Sequence, residues 1–135
     1  MKYDAVIDTN VLVSAALKWE SVPGQILLAV FCGMIRPLLN EGIAAEYRDV
    51  LLRPKFHLTP SLVDEIVDGI CAQGLWISAP ALAIDLSDPN DRIFYEVLME
   101  RRKSGDAVLI TGNIKHFPPE EYILTPRQML DRLTE

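Results

Sequence analysis

Short apolar runs alternate along this chain with longer stretches whose apolar positions recur every three or four residues, a pattern of strands interleaved with helices. Tyr3 to Ile7 (YDAVI) reads as a first strand. Helical material follows, with Ser21-Val22-Pro23 as a helix start and Gly33 as a stop. Ile35 to Leu39 reads as a second strand, weakened by Pro37 in its middle. Asn40 can cap the next helix, which runs towards Leu52 and must end before Pro54. Thr59-Pro60 opens a helix to about Gln73, stopped by Gly74. Leu75-Trp76-Ile77 is a short third strand, and Asp88-Pro89 opens a helix to about Lys103. Ala107 to Ile110 (AVLI) is a continuous apolar run of the kind buried in parallel sheets. A weak strand around Tyr122-Ile123 precedes a last helix capped by Thr125-Pro126.

This alternation implies βαβ units. The expected fold is α/β, a three-layer α/β/α sandwich with a central, mainly parallel sheet of four to five strands. A chain of 135 residues fits one domain, expected to span 1–135. With 50% hydrophobic and 24% charged residues, disorder is excluded. Cys32 and Cys71 lie far apart and form no ligand cluster, as in a reduced protein. The start does not resemble a signal peptide, since Asp4 and Asp8 interrupt the first apolar run. The apolar segments are too short and too often broken to span a bilayer, so a soluble, cytoplasmic protein without a membrane partner is expected. Thirteen Lys and Arg against 19 Asp and Glu give a net charge of −6. Such a balance repels phosphate backbones at long range, so action on nucleic acid would need local cations.

Ligands in open parallel sheets bind beyond the carboxyl ends of the strands. Two strands end there in short polar groups: YDAVI runs into Asp8-Thr9-Asn10, and AVLI into Thr111-Gly112-Asn113. Each group taken singly also suits an ordinary turn or cap. On the helix after Asp88, the residues Asp91, Phe94, Tyr95 and Leu98 share one face, opposite Arg92, Glu96, Glu100 and Lys103. A carboxylate heading a core-facing stripe needs a donor, a cation or water. Alternatively, Asp91 completes a capping box begun by Asp88, and the two readings are compatible. Glu46 lies at the edge of the stripe Ile43, Tyr47, Val50 and Leu51, where a snorkelling or ion-paired glutamate is the ordinary reading. Acids crowded at one sheet edge raise one another's pKa unless a cation compensates. Hard oxygen ligands of this kind suit Mg2+ or Mn2+, which can activate water against a phosphodiester.

Asp8-Thr9-Asn10 in DTNVLVS, Glu46 in IAAEYRDVL, Asp91 in DPNDRIFYE and the late LITGNIKHF segment together resemble PIN-domain nucleases. The likeness covers nearly the whole chain and is closest to toxin components of type II toxin–antitoxin systems, the VapC-like proteins. It implies a compact α/β/α fold and a metal-dependent endoribonuclease. Asp8, Glu46 and Asp91 would bind one or two divalent metals, and Thr111 would orient a ligand or water. It also implies an RNA substrate, an antitoxin partner and a homodimer or higher homo-oligomer. Where many members carry another aspartate, this chain has Asn113, whose carbonyl can still ligate but brings no charge. A second metal should therefore bind more weakly, and Asp88 is an alternative ligand better suited to an N-cap.

Asn10 and Lys115 are candidates for substrate contact, with His116 beside the latter. Arg92, Arg101, Arg102 and Lys103 read as solvated surface charges. His57 and His116 carry no catalytic weight, because metal chemistry needs no histidine base. Two rivals come from other classes. A catalytically weak or inactive PIN-like interaction module would account for Asn113 and the acidity. A receiver or phosphatase-type phosphoryl-transfer domain would also place an aspartate after its first strand, but DTN lacks the second acid of a DxD motif.

Overall fold

The computed structural model describes residues 2–135. Five strands form one all-parallel sheet: β1 (Tyr3–Ile7), β2 (Ile35–Leu39), β3 (Leu75–Trp76), β4 (Ala107–Ile110) and β5 (Ile123–Leu124). Their spatial order is β3-β2-β1-β4-β5. Six helices complete the three layers: α1 (Thr9–Leu17), α2 (Val22–Phe31), α3 (Glu41–Leu51), α4 (Pro60–Gln73), α5 (Arg92–Arg102) and α6 (Pro126–Leu133). The expected three-layer fold is the one observed. The strand around Tyr122-Ile123 sits one residue later, because Ile123 and Leu124 are the residues facing β4.

The order of the strands positions everything that follows. From β1 the chain moves outward through β2 to β3, then returns to lay β4 on the other side of β1. The switch point of the sheet therefore lies between β1 and β4, where a parallel α/β sheet opens a crevice at its carboxyl edge. Register brings Ile7 opposite Ile110, so the next residues, Asp8 and Thr111, emerge side by side. The backbone N–H of Asp8 donates to the Ile110 carbonyl at 2.9 Å and extends that match past the strand ends.

Pro37 is accommodated in the inner strand β2 because the ladder with β3 covers only Leu38 and Leu39. Gly33 ends α2 at a φ of 81°, a left-handed conformation that glycine adopts without Cβ strain. The side chains of Asn40, Thr59 and Thr125 each cap the helix that follows them, and Thr125 forms a complete capping box with Gln128. The core is continuous and aliphatic, with Tyr47 and Phe94 its largest wholly buried side chains.

Three of the four basic residues read as solvated charges are not so placed. Arg92 donates to the Ile84 carbonyl, Arg101 pairs with Asp4, and Arg102 donates to the Ala107 carbonyl while lying over the Tyr122 ring. Only Lys103 is exposed, beside Glu100. Arg101 and Arg102 stand in the last turn of α5 within reach of β1 and β4, and for Arg92 the reason is the irregular chain after β3, which crosses the outer face of α5. Its Leu82 N–H donates to Glu96 and its Ile84 carbonyl accepts from Arg92, so a face polar in sequence is covered by backbone. No described helix is long and apolar enough to cross a membrane.

Candidate active site at the carboxyl edge of the sheet

Asp8 is the first residue after β1 and is 5% exposed. Its Oδ2 accepts the Thr111 hydroxyl at 2.8 Å and the Asn10 side-chain amide at 3.3 Å. Burial raises its pKa above the ordinary aspartate range, and the Thr111 hydroxyl, the backbone N–H groups of Asn10 and Thr9 and the nearby His116 counter only part of that. Asn10 also accepts the Gly112 N–H at 3.0 Å, so its amide ties the loop after β1 to the loop after β4. It is exposed, but both ends of its amide are engaged.

Thr111 is fully buried. Its hydroxyl donates to Asp8 and accepts the Asn113 N–H at 3.0 Å. Such a hydroxyl has one proton, and here that proton points at the carboxylate.

Glu46 reaches the same edge from α3, which is anchored by its neighbour. The buried Tyr47 hydroxyl donates to the carbonyl of Ile7, the last residue of β1. Glu46 forms no ion pair among the described residues. The Thr9 hydroxyl donates to its Oε2 at 3.4 Å, and partial burial raises its pKa, with the Asp8 charge contributing.

Asp91 ends a 3-10 turn (Pro89–Asp91) that leads directly into α5. The stripe is as expected, with Asp91, Phe94, Tyr95 and Leu98 all buried. The capping box is not formed. The Asp88 carboxylate accepts the Asn90 N–H, and the Asp91 carboxylate turns to His116, whose Nδ1 lies 3.1 Å from Oδ2. Burial pushes the Asp91 pKa up to about 6, with the charges of Asp8 and Asp88 adding to it. The His116 hydrogen bond offsets only part of this rise.

His116, given no catalytic weight in the sequence and set there beside Lys115, joins Asn113 to Asp91. It ends a 3-10 turn (Ile114–His116), and its Nε2 meets the Asn113 side-chain Nδ2 at 2.8 Å. In 3-10 geometry, residues three apart eclipse one another, so Asn113 and His116 face each other. That i, i+3 spacing after a strand end was the available signal. Thr9 and Tyr47 gave none, because their partners lie 37 and 40 positions away. His57 lies elsewhere, exposed in a left-handed turn. Lys115 is exposed and lines a groove of about 850 Å3 with Ile114, Phe117 and Leu124, a groove that includes none of the acids. A cleft of about 320 Å3 lined by Asn10, Ser14, Gly112 and Asn113 adjoins the acidic edge.

The donor set fits a hard divalent cation in type. Each of the three carboxylates has its side-chain hydrogen bonds on one oxygen only: Oδ2 of Asp8, Oε2 of Glu46 and Oδ2 of Asp91. No side chain among the described residues donates to the other oxygen. None of the three carboxylates pairs with Lys or Arg among the described residues, and all three pKa values are raised, chiefly by burial. The fit in spacing is incomplete. Among the described residues, no three acidic, histidine or cysteine side chains stand close enough together to close around an ion.

The family described as PIN domain matches residues 4–115, most of the chain and every acid discussed above. No curated protein matches the chain. No solved structure matches it either. The match is extensive enough to place the chain: it belongs to the PIN-domain family, whose members are usually nucleases and typically use divalent metals.

Proposed function

We propose that this PIN-domain chain is a metal-dependent endoribonuclease whose site is built on Asp8, Glu46 and Asp91. The observation that carries the reading is the set of carboxylates at the switch point of the sheet that have no Lys or Arg partner among the described residues, each holding one oxygen by side-chain hydrogen bonds and leaving the other without a side-chain donor. Asp8, Glu46 and Asp91 would hold Mg2+ or Mn2+, with the Asn113 carbonyl oxygen a further candidate. The ion supplies Lewis-acid stabilisation of phosphate charge and a more acidic water. Thr111 and Asn10 keep Asp8 in one rotamer, and Thr9 does the same for Glu46. The adjoining cleft, lined by Asn10, Asn113, Ser14 and Gly112 together with Val11, Pro23 and Pro126 and by no acid, gives a phosphodiester strand a way in that avoids carboxylate repulsion. Lys115 is exposed close to this edge in sequence and is available to a phosphate on the outer side.

The finer role, a toxin held by a separate antitoxin and assembled as a homodimer or higher homo-oligomer in the cytoplasm, is supported by the likeness of DTNVLVS and TGNIKHF to VapC-like proteins. The test is cleavage of a mixed RNA pool by purified protein with Mn2+ or Mg2+. Cleavage should be abolished by EDTA and should fall at least a hundredfold in Asp8→Asn. Cleavage that persists equally in Asp8→Asn, or no cleavage by the folded wild type with either ion, overturns the reading. Growth arrest on expression of wild type but not of Asp8→Asn would bear on the toxin role.

A second reading is favoured by one observation: the acids are not drawn into a ready three-ligand cage. A catalytically weak or inactive interaction module would have this geometry and would tolerate Asn113. Calorimetry with Mn2+ separates the two, since a nuclease must bind the ion through Asp8 and Asp91 and the module need not.

A further inference from the structure

Asp8 and Asp91 are joined by a continuous run of hydrogen bonds. The Thr111 hydroxyl donates to Asp8 Oδ2 at 2.8 Å and accepts the Asn113 N–H at 3.0 Å. The Asn113 side-chain Nδ2 lies 2.8 Å from His116 Nε2, and His116 Nδ1 lies 3.1 Å from Asp91 Oδ2. An amide nitrogen carries only hydrogens, so the imidazole nitrogen facing it must accept. The proton of a neutral imidazole is then on Nδ1, and an ionised carboxylate is its natural acceptor. With the Asn113 amide nitrogen facing the ring, one neutral tautomer satisfies every contact.

We propose that His116 is a positioning residue for this nuclease site. Locked by Asn113 as the Nδ1–H tautomer, it grips Oδ2 of Asp91 and so leaves the other Asp91 oxygen, which has no side-chain donor, for the cation that Asp91 and Asp8 would share. The inference rests on the proposed metal-dependent reading and deepens it. Hydrogen-bond partners outside the ligand shell commonly orient metal ligands in this way, and their loss typically weakens metal affinity by about 10- to 100-fold. In this chain the arm made of Asn113 and His116 occupies the position after the Thr-Gly pair where a further acid would otherwise stand. It links Asp8 and Asp91 without adding negative charge to an edge already rich in it. That accounts for an asparagine here as a working part of the site.

The test combines long-range proton–nitrogen NMR of the metal-free protein with Mn2+ calorimetry and cleavage kinetics. Wild type should show a single Nδ1–H tautomer for His116, lost to a mixture in Asn113→Ala. His116→Ala should bind Mn2+ about tenfold or more weakly and lose kcat with little change in RNA KM. His116→Asn, which keeps an N–H near the place of Nδ1, should recover much of both. An averaging tautomer mixture in wild type overturns the proposal, as does Mn2+ affinity unchanged in a His116→Ala variant that melts like wild type. Those outcomes leave the nuclease reading standing. A wild type that binds no Mn2+ removes that reading and this inference together.

Discussion

The Thr111 hydroxyl donates to Asp8 Oδ2 at 2.8 Å across 103 positions of sequence, joining the ends of the two strands that flank the switch point. Both groups are buried, 0% and 5% exposed, so neither can exchange its partner freely for water. The pair makes the carboxyl edge of the sheet one connected polar surface, and its consequences for stability and activity can be measured.

Thr111→Val keeps the shape of the side chain but removes the proton held by Asp8 and the oxygen that accepts the Asn113 N–H. A buried group stranded in this way costs about 1 to 3 kcal/mol. Urea unfolding should show that loss, and RNA cleavage should fall at least tenfold because Asp8 is no longer held in one rotamer. A variant as stable and as active as wild type would refute the role given to this hydroxyl.

Asp91 makes the metal-free protein pH-sensitive. Its folded-state pKa is raised from 3.8 to about 6, so between those values the folded state binds more protons than the unfolded state. The contribution of this group to stability therefore falls as pH rises through that window and stays reduced at neutral pH. Asp91→Asn should melt higher than wild type at pH 7 without metal, by about 1 to 2 kcal/mol after allowance for solvent screening. The advantage should shrink towards pH 4. Added Mn2+ should raise the melting temperature of wild type and leave Asp91→Asn almost unmoved. Thermal scans at the two pH values, with and without the ion, check both parts.

Asp4 behaves oppositely. Burial works to raise its pKa, but Arg36 at 2.8 Å and Arg101 at 3.0 Å outweigh it and hold the carboxyl below its ordinary range. A depressed folded-state pKa contributes stability that is present above the unfolded value of 3.8 and lost as pH falls through the folded one. Asp4→Asn should cost about 1 to 2 kcal/mol at pH 7, with the difference vanishing in strong acid. Cleavage should be unaffected, because Asp4 lies towards the amino end of β1, away from the edge that carries Asp8. Chemical unfolding against pH, alongside an activity assay, reads out both.

Much of this molecule was legible in the order of its residues. AVLI read as a buried parallel strand, since a short continuous aliphatic run between turn residues leaves no polar face for solvent. Thr59-Pro60 and Thr125-Pro126 announced helix starts because the threonine hydroxyl satisfies a free N–H and proline lacks one. The stripe from Asp91 to Leu98 was visible as periodicity, and so was the anomaly of an acid at its head. These signals are local: each depends on neighbours within a few positions, whose geometry the backbone fixes.

The interactions that make a site are not local. The pairing of Glu46 with Thr9 and the cover laid over Arg92 by the chain after β3 depend on segments that approach only when the sheet closes. The arm from Asn113 through His116 to Asp91 is the clearest case. Its first contact spans three positions and could have been read from the turn, while its second spans 25 and could not. Sequence determined which elements form and where carboxylates, hydroxyls and amides stand at their ends, because hydrogen-bond capping and hydrophobic periodicity act over a turn or two. The packed fold alone decided which of those groups meet, because strand order and register convert distant positions into neighbours, and burial then forces each polar atom to find the partner it has been given.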